Sequence, residues 1–280
     1  MMMIRFCLAL LLAVCSCSAF PPWVGFRQVN QAPPVTPYTA QLLIDFESGI
    51  NGATIDATYM NANDHGTPDN PWITGGATLP TVTTAQFRSL ITPVIVNSVT
   101  YDDATGTRGA SFTHATDGYA QHQLTGGPYN QSVTAACWWK STMPEPDTLF
   151  GTYDVLSLQN SGGGGSEWAV AQIQNWGMHA HASGTGAGGV GKGLDINLHR
   201  DTWYWIVVKY ARADGCYLNI YDTTGALVGT SYCPFGASTE GVRFIQFGNI
   251  APHAAFPTGN LFYDNIVFLI GSNPTFPVGP

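Results

Sequence analysis

The sequence predicts an all-β fold, a two-sheet antiparallel jelly-roll sandwich. Three observations predict it. Only 10% of the 280 residues are charged, against about 25% in typical soluble domains. The Glu, Lys and Arg that helical bundles need are therefore missing. Thirty-two glycines and 18 prolines punctuate the chain with turns. Between the turns, apolar and polar residues alternate with a period of two, the spacing of a half-buried strand. The same composition excludes other classes. Hydrophobic residues make up 45% of the chain, whereas disordered chains are apolar-poor and highly charged. The formal charge is −8, and the few basic residues form no stripe that would neutralise nucleic-acid phosphates.

Residues 1–19 read as a secretory signal. Arg5 supplies the positive end, 6–14 the apolar core, and Cys17-Ser18-Ala19 a small-residue cleavage site. The run is too short to span a bilayer as a helix, so no transmembrane segment is expected. The alternative is lipoprotein processing, because Val14-Cys15-Ser16-Cys17 is similar to a bacterial lipobox with a lipid anchor at Cys17. Both readings expect the protein to be secreted or held at the cell surface. Residues 20–39, with Pro21, Pro22, Pro33, Pro34 and Pro37, read as a Pro-rich linker of extended backbone, or as a strip lying along the domain. The body spans 40–271, and 272–280 form an irregular tail.

In order, strands are expected at 42–47, 111–114, 119–124, 132–141, 153–158, 167–174, 178–182, 203–210, 216–221, 226–232, 242–247 and 261–269. Residues 162–165, four glycines, read as a hairpin loop. They lack the Gly-Lys-Ser/Thr of a phosphate loop. Some 230 residues of short strands fit one large double-sheet jelly roll. The cysteine pair Cys216 and Cys233 flanks a turn centred near Thr224-Gly225. The two should sit opposite each other, and an oxidising compartment would permit a disulfide. Reduced core thiols are the alternative. Without a Cys-x-x-Cys pair, a zinc site of that type is not expected.

Period two also proposes surface residues. Lysine is rarely buried unpaired, so Lys209 should face solvent and bring Trp205 out beside it. Lys140 should do the same for Trp138. With Tyr217 and Tyr221, these rings are the candidate platform for stacking on sugars, unless a second layer covers them. His179 and His181 share one strand face. With Gln172 they are candidate sugar hydrogen-bonders on a concave face. They are alternatively half of a metal site completed by His122, Asp195 or His199. Asp45, Glu47 and Asp264 fall on the first and last strands and are candidate Ca²⁺ ligands, with ordinary edge charges as the alternative.

Four pieces in one order resemble the concanavalin A-like lectin/glucanase superfamily, in its laminin-G-like form. They are Val133-Thr134 leading to Cys137-Trp138-Trp139-Lys140, and 154–158 (DVLSL) before a Gly-rich loop. Then come 201–210 followed by 216–221 and 225–228, and Phe247-Gly248-Asn249 before 259–268. The resemblance implies two antiparallel sheets, one concave, with glycans bound on the concave side or its rim. The family's catalytic motifs are incomplete. Glu145-Pro146-Asp147 lacks the final Glu of the glucanase strand, with Phe150 in its place. Gln172-Ile173-Gln174 has Gln where the lyase strand has its His. No Gly-x-Ser-x-Gly occurs. The expected function is therefore a lectin-like carbohydrate-binding domain without catalysis. A polysaccharide lyase or glycoside hydrolase on the same fold, or a structural and adhesive surface protein, are the alternatives. Acidic net charge makes a neutral glycan the better partner, since repulsion opposes a polyanion.

Overall fold

A computed structural model describes residues 38–66, 70–89, 93–101, 106–113, 118–124, 129, 131–143, 152–161, 166–174, 176–182, 191–211, 214–234, 241–250 and 259–271. The signal segment with Cys17, the linker up to residue 37, the four glycines 162–165, residues 144–150 and the tail lie outside the described residues. Among the described residues, no helix is long and apolar enough to cross a membrane.

In chain order the elements are β1 (Tyr38–Thr39), β2 (Leu42–Ile44), α1 (Ala57–Asn63), β3 (Ile73–Gly76), β4 (Thr81–Thr83), β5 (Val94–Val96) and β6 (Val99–Tyr101). Then follow β7 (Gly109–Thr113), β8 (Gly118–Gln123), β9 (Val133–Ser141), β10 (Thr152–Ser161), β11 (Ser166–Gln174), β12 (Gly177–Ala182) and β13 (Gly191–Lys192). The last are β14 (Ile196–Asn197), β15 (Tyr204–Ala211), β16 (Gly215–Tyr221), β17 (Leu227–Pro234), β18 (Phe244–Ile250) and β19 (Asn260–Ile270). One large antiparallel sheet runs β13-β12-β11-β10-β18-β8-β3, with β14 also on β12. We call it the front sheet. The back sheet runs β17-β16-β15-β9-β19-β7-β4, with β2 on β19. The fold is thus the all-β sandwich that the alternation predicts.

Period two places alternate residues of each strand between the sheets. Cys137 and Trp139 of β9, Tyr204, Ile206, Val208 and Tyr210 of β15, and Leu156 and Leu158 of β10 join one continuous core. The opposite face of the back sheet is also apolar. Ala136, Trp138, Trp205, Val207, Tyr221, Phe262 and Val267 form a second cluster with Leu43, Val94 and Val96. A small sheet, β1-β5-β6, lies in this third layer. Every residue of β9 is buried for this reason.

The sequence reading missed the helix and most of the region before 109. Helix α1 has seven residues, too short to show a 3.6-residue period. It begins on Asp56, whose side chain accepts the Tyr59 N–H at 2.8 Å, a standard N-cap. The parallel pairing of β1 with β5 makes Tyr38–Thr39 part of the domain rather than of the linker.

Candidate functional site

The platform expectation is corrected first. Trp138, Trp205 and Tyr221 do point away from the sandwich core, as their register requires, but they are buried at 3%, 1% and 5% exposure. The two tryptophans pack edge-to-face at 5.3 Å. Arg88 lies 5.9 Å above the rings of Trp138 and Trp203, and Trp138 Nε1 donates to the Ser89 carbonyl at 2.8 Å. So much aromatic surface on one face is stabilised by covering it, and the third layer does so. Lys209 is likewise buried, at 5% exposure, and desolvation pushes its pKa down to about 8. Lysine on a strand is therefore no guide to solvent here. Tyr217 alone of the four rings keeps partial exposure. It packs 4.6 Å from Tyr232, its cross-strand partner, and both hydroxyls bond to Asp214.

The proposed calcium ligands do not converge. Asp45 holds His65 Nε2 at 2.7 Å. Glu47 accepts from Thr107 N and Oγ1 and from Arg108 N. Asp264, fully buried, accepts the Arg88 N–H at 2.6 Å, and Asn265 Nδ2 donates to the Arg88 carbonyl at 2.7 Å. Asp264 and Asn265 thus clamp the backbone N–H and C=O of Arg88 and pin the cover over the tryptophans. Among the described residues, no three His, Cys, Asp or Glu side chains gather as a metal group. Cys216 and Cys233 do sit directly opposite each other, but both are reduced and buried. Their sulfurs face different carbonyls, Val170 and Pro234. Desolvation pushes the Cys216 thiol up to about 12.

The face that carries unexplained polarity is the outer face of the front sheet. Its strands put Ala120, Leu156, Ala171 and Ala180 into the core, so the alternating residues face outward. Register then aligns Gln121 with Gln246, Gln246 with Ser157, Ser157 with Val170 and Val170 with His181. Beside this row, Asp154 aligns with Gln172, and Gln172 with His179. Two separate groups of hydrogen bonds hold the amides. Gln121 Nε2 reaches Gln159 Oε1 at 3.3 Å, and Gln159 Nε2 reaches Gln246 Oε1 at 2.7 Å and Ser157 Oγ at 2.6 Å. Gln172 Nε2 donates to Asp154 Oδ1 at 2.9 Å, and Gln172 Oε1 lies 3.1 Å from His179 Nε2.

Exposure along this face is graded. Ser157 and Gln159 are at 0% and Gln246 at 1%. Gln172, Gln174 and His181 are half-buried, and Lys192 and Asp195 are exposed. The accessible end therefore holds Gln172 and His181, with His179 beside them but buried at 1% exposure. Asp195 Oδ1 closes on His179 Nδ1 at 2.9 Å and on Lys192 Nζ at 3.1 Å. The approach to the imidazole is an ion-pair distance without hydrogen-bond alignment, since Nδ1 counts as unpartnered. The loop reaches this position because Gly193 lies hard against β17, where a Cβ would come within 2.3 Å of Ser231 Oγ. Desolvation, aided by Lys192, lowers the His179 pKa to about 4, against the pull of Asp195. Desolvation also lowers that of His181. Both rings are neutral at pH 7; the His179 N–H is taken by Gln172 Oε1, whereas His181 has one N–H and one lone pair to offer. Of the other predicted metal partners, His122 packs on Trp72 on the core side of β8, and His199 is exposed.

The sequence reading missed Gln121, Ser157, Gln159, Gln246 and Asp154. The signal was present as period-two polarity in 119–123 (YAQHQ), 157–159 (SLQ) and 172–174 (QIQ). It appears only when the strands are aligned side by side.

With this geometry in view, comparison with known proteins gives a fold and no family. No protein-family model matches the sequence, and no curated protein matches it either. The solved binding domain of botulinum neurotoxin serotype G is similar in fold, with TM-score 0.50 and 10% identity over 84% of this chain and 49% of that one. A sialidase from Trypanosoma rangeli gives TM-score 0.45 and 13% identity over 81% of this chain and 30% of that one. The fold is a concanavalin A-like jelly roll. This chain spans about half of the neurotoxin domain and under a third of the sialidase, and at such identities the likeness is one of fold alone.

Proposed function

We propose that this is a carbohydrate-binding, lectin-like domain without catalysis, secreted or tethered at the cell surface, and that it binds a neutral glycan on the outer face of the front sheet. One observation carries the reading: two hydrogen-bonded groups on one sheet face, Gln121-Gln159-Gln246-Ser157 and Asp154-Gln172-His179, outside both hydrophobic clusters. Buried polar groups cost stability unless fully paired. A face this rich in paired amides is well suited to hydroxyl recognition, because each amide offers a donor and an acceptor. Gln172, Gln174 and His181 make the contact at the open end, and the buried Gln121-Gln159-Gln246 set holds the strands in register behind them. The residues at hand hold little net charge, so a neutral chain fits better than a polyanion.

Polysaccharide lyase chemistry on the same face is the second reading. It is favoured by the unprotonated state of His179 and His181 at neutral pH, which a general base requires. One experiment separates the two. Protein lacking residues 1–19 is run over immobilised starch, cellulose, mannan and xylan, with alginate as the anionic control, and eluates are assayed for unsaturated and reducing ends. Retention on a neutral polysaccharide without products supports binding. Products support the lyase. Absence of both on the whole panel overturns the proposal.

A further inference from the structure

A second site lies on the other side of β8. A cavity of about 350 Å³ opens where the chain from Thr39 to Leu42, the turn after α1, the β5–β6 turn and the end of β8 meet. Gln41, Asp64, Asn97, Ser98, His122 and Tyr129 supply its polar side chains, and Leu42 and Leu124 its apolar wall. His122 points to the core side of β8, opposite to Gln121 and Gln123, so this cavity is distinct from the polar face described above.

The site is held rigidly. The His122 ring stacks on Trp72 at 4.9 Å and 28°. Trp72 Nε1 in turn donates to Asp64 Oδ2 at 2.8 Å, and Gly66 N donates to Asp64 Oδ1 at 2.7 Å. Both carboxylate oxygens are thus engaged. Gln41 accepts the Ile270 N–H on Oε1 at 2.8 Å, which leaves its amide N–H groups without a partner among the described residues. His122 is only 3% exposed, and its Nδ1 has no hydrogen-bond partner. Buried polar nitrogens are rarely left so. Burial lowers the His122 pKa, against the pull of Asp64, so the ring is neutral.

We infer that this cavity is a binding site for a small neutral polyol of the monosaccharide class, recognised by His122, Gln41 and Ser98. The reasons are chemical. The groups left to meet a ligand are an imidazole, an amide N–H₂ and a hydroxyl, which match hydroxyl groups. The apolar wall matches the C–H face of a sugar ring. The single fixed charge is the occupied Asp64 carboxylate, which repels anions. The volume of about 350 Å³ has room for one sugar ring.

The test is calorimetric titration of the protein with D-glucose, N-acetyl-D-glucosamine and myo-inositol, with sodium acetate as the anionic control. Saturable binding of at least one polyol at millimolar concentration is expected, with none for acetate. His122→Phe keeps the stack on Trp72 and removes both nitrogens. It should weaken binding about tenfold or more, the loss of one good hydrogen bond. Thr39→Trp, at an exposed residue of the cavity wall, blocks the cavity without touching the core and should abolish binding if His122→Phe fails to fold. A Gln172→Ala/His181→Ala variant, altered only on the polar face, should bind the polyol as the wild type does. No saturable binding of any polyol, equal binding of acetate, or binding undiminished in His122→Phe or Thr39→Trp overturns the inference. Polysaccharide retention is a separate readout, so the two proposals fail independently.

Discussion

β15 and β12 alternate in the same way, yet their outward residues meet opposite fates. In β15 the outward Trp205 and Val207 sit beneath a third layer and join an apolar cluster. In β12 the outward His179 and His181 belong to neither cluster; His179 bonds sideways to Gln172 and lies 2.9 Å from Asp195. The difference shows how to read an outward face. Large aromatic residues there are themselves a reason for the chain to fold back over them, because burial stabilises them by about 25 cal/mol per Å². Amides and imidazoles give no such drive, so a strand face that repeats them points to a partner outside the fold. The aromatic side chains were the more conspicuous signal, and they turned out to be structural.

The largest test of this contrast is Trp205→Ala. On the covered face it should destabilise the protein by about 3–5 kcal/mol in urea titration, the usual loss for a buried aromatic. A loss within about 0.5 kcal/mol would mean that the ring is a surface residue after all.

Next comes pH. The folded-state pKa of His179 lies near 4, below the unfolded value of about 6.5. The unfolded chain therefore binds the proton first. The stability tied to a neutral His179 is complete above about pH 6.5 and is lost as pH falls toward 4, with His181 acting in the same direction. The loss should be on the order of 2 kcal/mol. Denaturant titrations at pH 7 and pH 4.5 measure it, and His179→Gln should flatten the difference.

Asp264→Ala then tests the clamp that holds the cover down. Removing the acceptor deletes the bonds from the Arg88 N–H and the Asn265 N–H to its carboxylate, at a cost of about 1–3 kcal/mol. Tryptophan emission should shift to longer wavelength as Trp138 and Trp205 gain water. Unchanged emission would separate Asp264 from the cover. The smallest effect has the opposite sign. Lys209 pays for burial while charged below its folded pKa of about 8. Lys209→Met should raise stability at pH 7 by about 1 kcal/mol, and a gain that persists unchanged at pH 10 would rule out charge burial as the cause.

The fold was legible because period two is a local property. It assigned the parity of β9 and β15 correctly, with Cys137, Trp139, Ile206 and Val208 inward and Trp138 and Trp205 outward. It could not say what lies outside, since the cover comes from residues 85–89 and 93–101, a region of short strands with weak alternation. The assumption that Lys209 marks solvent failed for the same reason. The site was half legible. Gln172, His179 and His181 lie within one hairpin, and their alternation places them together. Gln121, Ser157 and Gln246 lie on three strands up to 125 residues apart, and only the sheet order β10-β18-β8 makes them neighbours. The Asp45, Glu47 and Asp264 grouping erred differently. Adjacent strands were correctly supposed, since β2 pairs β19, but each carboxylate is occupied by a donor that composition does not reveal.

The central claim is that glycan is held by the polar face and not by the tryptophans. Retention on the neutral polysaccharide that binds the wild type best tests it most directly, comparing wild type with Gln172→Ala/His181→Ala. The account predicts at least tenfold weaker retention for the double variant, with a melting temperature within a few degrees of wild type. Undiminished retention in a folded double variant would contradict it.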